Sequence, residues 1–267
     1  MKVALLLCAL AVAIPPARAE TSQERGKHVI DEAVTALGGE RFLQMQDRIE
    51  SGRAYSFYRE ELNGLSIAKI YTRYLIRPEP LVPDFLGLRE RQAFGKKENS
   101  AVILADGKGY DITFRGARPL PDTTIDRFKE STQRNVLYIL RQRLGEPGLI
   151  MESRGSDVVE NQSVDIIDIT DADNRTVTVY FSRVTHLPLR QVTYRRDPET
   201  KEKIEEVTRF SKYRDVGDGV MWPFDVQRER NGEKIYQMFS DSVVINQDLK
   251  DNLFTLPADM KILKKLK

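Results

Sequence analysis

Oxygen-bearing side chains cluster in the second half of the chain in a pattern that could bind calcium. They are Asp168, Asp171, Asp173 and Asn174. A calcium loop of this kind also needs a glycine at its sixth position and a glutamate at its twelfth. Counted from Asp171, those positions hold Thr176 and Ser182. The sequence therefore favours a hairpin turn with solvated carboxylates, and we expect no metal here.

A histidine and two carboxylates share one face of the first predicted helix. Asp31 and Glu32 follow His28 at spacings of three and four residues, so the three side chains could surround a metal ion. A surface ion cluster beside an apolar stripe has the same spacing and is the commoner arrangement. We expect that cluster here, and we expect His186 to lie in a loop.

Motifs that position a nucleophile or a phosphate are missing. The chain has no G-x-S-x-G elbow, no G-x-x-x-x-G-K-[ST] loop and no H-E-x-x-H pair. Gly107-Lys108-Gly109 precedes a predicted strand rather than a helix, so it lacks the geometry that cradles phosphate. The single cysteine, Cys8, lies in an apolar N-terminal run. We expect no catalytic residue, no cofactor and no enzymatic activity.

The N-terminal segment has the features of a secretory signal peptide. Lys2 precedes an apolar run from Val3 to Ile14, and Ala17-Arg18-Ala19 supplies a small-x-small cleavage pattern. The run is too short to span a bilayer, which takes about 20 apolar residues. We expect cleavage after Ala19 and a periplasmic protein without cysteine, and therefore without disulfides.

Charge and composition exclude several functional classes. The 267-residue chain has 42 Lys and Arg against 40 Asp and Glu, and 40% of its residues are hydrophobic. This balance is typical of a globular protein and gives no basic excess for nucleic acid. No Gly/Ser- or Pro-rich linker and no fixed-period repeat interrupts residues 20–267. These residues are therefore expected to form a single domain.

Helices and strands are predicted from periodicity and turn residues. Thr21 and Glu24 form a capping box before an apolar stripe that ends at Gly38-Gly39, which predicts a first helix. A short helical turn should follow at 40–45, and one long second helix is predicted over about 123–144. Strands are predicted at 47–58, 66–77, 89–95, 100–105, 109–115, 149–154, 157–171, 175–183, 188–196, 203–214, 220–230 and 234–245.

The turns between these strands predict how the strands pair. Asn63-Gly64 is a typical hairpin signal and should join the first two strands. Connections this short require antiparallel neighbours. We therefore expect a mainly β (α+β) fold in which two helices cover one face of a long antiparallel meander.

Motifs at both ends of the chain resemble those of a known family. They are Leu37-Gly38-Gly39, the segment from Tyr213 to Phe224, the Asn231-Gly232 hairpin, and Val244-Ile245-Asn246 with Leu249, Leu253-Phe254 and Pro257. Together they are similar to the LolA/LolB-like superfamily of periplasmic lipoprotein carriers, especially its outer-membrane lipoprotein-sorting members. The resemblance implies an incomplete β-barrel, a curved antiparallel sheet covered by helices, with an apolar cavity that holds acyl chains.

Large apolar side chains from several elements could line such a cavity. Residues 78–88 form a proline-stiffened apolar loop that would either pack on the core or close over the cavity. The candidate ligand-binding residues are Ile70, Tyr74, Ile76, Leu81, Phe85, Leu86, Ile125, Phe128, Leu137, Leu140, Trp222 and Phe224. Each could instead belong to the core, since a one-residue register shift exchanges the two faces of a strand.

The expected function is that of a periplasmic carrier or binding protein for a lipoprotein or other lipid. Each buried methylene is worth about 0.8 kcal/mol, so a dry cavity can shield an acyl chain from water and the membrane can take it back. The alternative is an envelope sensor or protein-interaction module that uses the same fold to bind an envelope membrane protein. We expect a monomer without a nucleic-acid partner.

Overall fold

The computed structural model describes residues 20–76, 85–197 and 199–265. The predicted signal peptide, residues 1–19, and Leu81 lie outside these ranges. The helices are α1 (Ser22–Ala36), α2 (Glu40–Leu43), α3 (Asp122–Gln133) and α4 (Val136–Tyr138), followed by a π-helical turn over Ile139–Arg143 and, near the C-terminus, a 3₁₀ turn over Asp251–Phe254. The strands are β1 (Asp47–Tyr58), β2 (Glu61–Tyr74), β3 (Leu88–Phe94), β4 (Ser100–Ala105), β5 (Lys108–Thr113), β6 (Gly116–Pro119), β7 (Ile150–Val159), β8 (Gln162–Thr170), β9 (Thr176–Ser182), β10 (Pro188–Arg196), β11 (Lys203–Asp215), β12 (Met221–Arg230) and β13 (Glu233–Ile245).

All thirteen described strands belong to one antiparallel sheet. Its order is β6-β5-β4-β3-β2-β1-β13-β12-β11-β10-β9-β8-β7. The chain runs outward from β1 to one edge, passes through α3 and α4 to the opposite edge, and returns strand by strand to place β13 beside β1. The sheet is curved and does not close on itself. The predicted mainly β fold, an incomplete barrel with helices over one face, is confirmed.

The first hairpin turns earlier than predicted. Arg59 and Glu60 form the turn with positive φ angles of 50° and 64°, while Asn63-Gly64 lie inside β2. Strand register slips there, so that Ser56 faces Gly64 and Phe57 faces Leu62. A Cβ on Gly64 would come within 2.6 Å of the Ser56 Oγ. Gly64 therefore lies in a β-bulge and not in a turn. The prediction that Asn63-Gly64 joins the first two strands was wrong for this reason.

A second bulge replaces a predicted strand break. The sequence predicted an interruption at residues 155–156, yet β7 continues through them to Val159 and turns at Glu160-Asn161. Gly155 has a φ of 95°, and the register against β8 shifts beside it. Glycine inside a strand commonly marks such a bulge, which lets the strand bend without ending.

The predicted single helix over 123–144 is broken in two. Asn135 has extended backbone angles, and its side-chain oxygen accepts hydrogen bonds from the amides of Leu137 at 2.9 Å and Tyr138 at 3.3 Å. Asparagine is among the best N-capping residues because its side chain competes with the backbone for exactly such amides. Apolar spacing continued across the break, so periodicity alone did not reveal it.

Replacing Asn135 with alanine is expected to lower the free energy of unfolding by about 1 kcal/mol, because two α4 amides lose their acceptor. Urea denaturation followed by circular dichroism measures the change. Gln133→Ala is the matched control, since no side-chain hydrogen bond is lost at the end of α3. Equal effects of the two substitutions would contradict a capping role for Asn135.

The main core occupies one part of the helix-covered face. Side chains from α1, α2 and α4 pack there against β8, β9, β12 and β13. Its most deeply buried members include Ile30, Leu37, Phe42, Leu140, Ile167 and Phe181. A smaller cluster on the other side of β2–β4 joins Tyr71 to Leu249 and Phe254. The helix-covered face of β1–β3 lies outside this main core. It is covered by α3, a helix with no buried residue.

Candidate ligand-binding cavity

A partly open cavity of about 290 Å³ lies between the sheet and the helices. Strands β1–β3 and β12–β13 form its floor and sides, and α3 and α4 lie above it. Small-molecule pockets in proteins typically measure about 300–1,000 Å³. The space is therefore near the lower end of the range for a ligand site.

Apolar and aromatic side chains from both the strands and the helices form part of the cavity lining, here called the apolar wall. Five of the candidate residues predicted from sequence meet here: Ile70, Tyr74, Phe128, Leu137 and Trp222. Alternation in β2 placed the first two on one face, and the structure puts both on the face that the helices cover. The wall can thus pack against a hydrocarbon chain.

A second cavity of about 390 Å³ adjoins the first. Ile125, Phe85 and Leu86 line it together with the β4–β5 turn. Phe128 and Leu88 line both cavities, so these two side chains form the partition between them. Leu88 belongs to β3 and is buried, whereas Phe128 belongs to α3, a helix with no buried residue.

The remaining candidates lie elsewhere. Leu140 is fully buried in the core and Phe224 is 7% exposed there, and neither residue lines either cavity. Leu140 falls in the π-helical turn after the Asn135 break, which directs it toward the core. Ile76 is 96% exposed at the end of a described range, and Leu81 lies outside the described residues.

The cavity floor is polar, which the sequence analysis did not anticipate. Its polar residues are Arg48, Glu50, Glu90, Gln92, Arg228 and Tyr236. Strand pairing aligns them: Thr72 faces Arg48 on one side and Glu90 on the other, and Tyr236 faces Arg228. The signal was present as charged residues at alternate positions of β1 and polar residues at alternate positions of β3. In sequence, Arg48 and Glu50 of β1 and Glu90 and Gln92 of β3 have the alternation typical of a strand face exposed to solvent.

Arg48 is the most enclosed of the floor cations. It is 8% exposed, and its guanidinium lies 4.0 Å from the Trp222 ring centroid. Its terminal nitrogens donate to the Tyr74 hydroxyl and the Thr72 Oγ1, both at 3.2 Å. Its Nε has no hydrogen-bond partner and lies 3.6 Å from the Glu50 Oε2. This nitrogen therefore meets Glu50 as an ion pair without a hydrogen bond.

The two floor carboxyls differ in their environments. Glu50 is 5% exposed and accepts a hydrogen bond from the Ser240 hydroxyl. Glu90 accepts one from the Gln92 Nε2 at 2.6 Å. Burial raises the pKa of Glu90 above its ordinary value, although the Gln92 hydrogen bond and the charges of Arg48 and Arg228 act in the opposite direction. The proton is therefore retained on Glu90 to higher pH than on an exposed glutamate.

In the two sites that could have bound metal, Asp171 and Glu32 already contact arginine or histidine side chains. Asp171 contacts the guanidiniums of Arg143 at 3.2 Å and Arg175 at 2.9 Å. Burial raises the pKa of Asp171, but the Arg175 amide and both guanidiniums outweigh it and lower the pKa overall. His28 and His186 each lie 3.3 Å from a Glu32 oxygen. In the part of the chain that the structure describes, no group of three or more His, Cys, Asp or Glu could hold a metal ion.

None of the helices within residues 20–76, 85–197 and 199–265 is long and apolar enough to cross a bilayer.

Solved structures share this architecture over most of the chain. A domain from Vibrio parahaemolyticus, assigned as an outer membrane lipoprotein-sorting protein, aligns over 87% of this chain and 97% of its own, with a TM-score of 0.57 and 10% identity. A DUF1329 family protein from Desulfovibrio piger aligns over 86% and 97%, with a TM-score of 0.57 and 13% identity. A LolA superfamily protein from Nitrosomonas europaea aligns over 86% and 97%, with a TM-score of 0.51 and 10% identity.

The protein has a LolA-like fold. No family model and no curated protein matches its sequence. At 10–13% identity the structural matches establish the fold and not the ligand. The chemistry of a ligand depends on the residues that line the cavity. In this chain the cavity combines an apolar wall with a charged floor.

Proposed function

We propose that this protein is an exported carrier or binding protein that holds the acyl chain of a lipid or lipoprotein between its sheet and α3. The observation that carries the proposal is the pair of adjoining cavities under a long helix with no buried residue. A helix that contributed only to the core would bury its apolar stripe, whereas Ile125 and Phe128 of α3 face open volume. Holding a chain there requires no catalytic group.

The energetics favour reversible binding. Transfer of each methylene from water is worth about 0.8 kcal/mol, so an acyl chain gains affinity by packing against the apolar wall. A membrane offers the chain the same gain and can therefore take it back. The fold shared with the lipoprotein-sorting domain supports a carrier role. The proposal includes residues 1–19 as a cleaved signal peptide and residues 20–267 as one domain.

Native mass spectrometry tests this proposal. The full chain would be expressed in a bacterium, purified from the periplasm, measured intact and extracted with organic solvent. We expect a protein that begins at Glu20 with one bound adduct that extracts as lipid. An adduct-free mass, together with no uptake of a fluorescent fatty acid, would overturn the carrier proposal and favour a protein-interaction module instead.

A further inference from the structure

The cavity floor carries two arginines that differ in how their charges are met. The Arg48 Nε is buried without a hydrogen-bond partner. Among the described residues, the Arg228 guanidinium has no hydrogen bond or ion pair, and its contact is the Tyr236 ring at 5.5 Å. Both arginines line the same cavity. Arg48 is buried and paired with Glu50, whereas the exposed Arg228 carries a positive charge that no described carboxylate neutralises, so an anion in the cavity would gain an ion pair there.

The carboxyls of the floor each accept a side-chain hydrogen bond. Glu50 accepts one from the Ser240 hydroxyl and pairs with Arg48 at 3.6 Å, and Glu90 accepts one from the Gln92 Nε2. Arg228 has no carboxylate partner among the described residues, so the floor presents a cation that is not neutralised. This charge favours an oxyanion over a cationic ligand.

We propose that this floor binds the acidic headgroup, a carboxylate or a phosphate, of a single-chain amphiphile whose tail packs against Ile70, Trp222 and Phe128. The inference rests on the proposed function and narrows its ligand to anionic amphiphiles. Arg228, which is exposed and lines the cavity, supplies the donor for the headgroup. Arg48, whose guanidinium lies on the Trp222 ring, adds a buried positive charge beside it.

Glu90 makes this binding dependent on pH. The charged and titratable groups that face it are Arg48 and Glu50 on β1, Arg228 on β12 and Tyr236 on β13, while α3 presents only Phe128, Ser131 and Thr132 to the cavity. An incoming anion repels an ionised Glu90 and therefore favours its protonated form. Binding then takes up a proton, so affinity falls as pH rises, by at most about tenfold per pH unit.

Ligands with the same chain and different heads test the headgroup preference. The protein purified after expression of the full chain would be loaded with Nile red. Three ligands would then compete with the dye: palmitate, palmitoyl lysophosphatidate and uncharged monopalmitoylglycerol. We expect both acids to bind about ten- to a hundredfold more tightly than the uncharged lipid. Equal affinities for all three would overturn the headgroup inference and leave the carrier proposal standing. No binding of any of them would overturn both.

Free phosphate separates the amphiphile from a simple anion site. Inorganic phosphate at millimolar concentration is expected to leave bound Nile red in place and to weaken the acidic lipids only slightly. If phosphate alone displaced palmitoyl lysophosphatidate completely, the site would be one for a free anion and the amphiphile inference would be wrong.

Arg228→Gln is the first diagnostic variant. It should remove the preference for acidic lipids while changing the affinity for monopalmitoylglycerol by less than about twofold, because it deletes a charge and no apolar wall. Arg214→Gln is the matched control: Arg214 is also exposed and lies over an aromatic ring, that of Phe224 at 4.6 Å, but it does not line the cavity. The same loss in both variants would overturn the role of Arg228.

Glu90→Gln is the second. It keeps the hydrogen bond with Gln92 and removes the titrating group, so affinity for the acidic lipids should rise at neutral pH and lose its pH slope relative to the unmodified protein. An unchanged slope would show that the ligand's own headgroup titrates and that Glu90 is not coupled to binding. The pH profile also separates this role from a purely structural one, which would shift all ligands alike.

Discussion

Replacing Phe128 with glutamate is expected to weaken binding of uncharged monopalmitoylglycerol by at least about 100-fold while the protein stays folded. Phe128 lines both cavities, so the new carboxylate would be placed where the hydrocarbon chain packs. Bringing an unpaired charge against a hydrocarbon costs several kcal/mol, and about 2.7 kcal/mol already corresponds to 100-fold in affinity. Competition with Nile red measures the change.

The fold should tolerate this substitution because α3 contributes no buried residue to the core. Circular dichroism and urea denaturation would verify that the variant remains folded. Thr124→Glu adds the same charge to an exposed position of the same helix and should bind the lipid normally. Undiminished uptake by Phe128→Glu, in a folded protein, would mean that the acyl chain does not lie between α3 and the sheet.

Replacing Gly52 with alanine is expected to destabilise the protein by about 3 kcal/mol or to prevent folding. Gly52 lies in β1 where the register against β13 shifts, so that Ser51 faces Ser242 and Gly52 faces Ser240. A Cβ there would collide with the Phe239 carbonyl oxygen and lie 2.8 Å from the Ser240 Cα. Overpacking costs about 1–3 kcal/mol, and a backbone atom cannot move aside as a side chain can.

Urea denaturation measures this loss, and a second glycine provides the control. A Cβ on Gly145 meets nothing within 4 Å. Gly145→Ala should therefore change the free energy of unfolding by less than about 1 kcal/mol. The change would be a stabilisation where the lower conformational entropy of the unfolded alanine variant dominates. Similar losses in the two variants would exclude a special role for the bulge that joins β1 to β13.

The same bulge connects stability to the cavity. By shifting the register, it sets Ser240 where its hydroxyl donates to Glu50. Glu50 in turn pairs with the Nε of Arg48, one of the two arginines of the proposed headgroup site. A glycine at this position in the sequence indicates at most a weak strand. Its close approach to β13 could not be predicted, because the partner backbone comes almost 190 residues later.

Local signals predicted the elements well where the chain decides its own conformation. The Thr21–Glu24 capping box and Gly38-Gly39 set both ends of α1, as predicted. β10 occupies residues 188–196, as predicted from its alternation and flanking turns. Predictions failed where a local signal served a different purpose: the glycines at 64 and 155 form bulges, and Asn135 caps a new helix inside an unbroken apolar pattern.

The amino-acid sequence by itself determined the antiparallel meander and the first helix, because periodicity and turn residues act over a few residues. Its motifs near both ends also carried the resemblance to LolA-like proteins. It also placed Ile70 and Tyr74 on one face of β2. Only the tertiary structure decided what covers that face. Arg48, Glu90 and Arg228 meet at one floor because β1, β3 and β12 are brought together by pairing across the whole chain. Alternation assigns a side chain to a face, but whether that face meets water, core or ligand depends on elements distant in sequence.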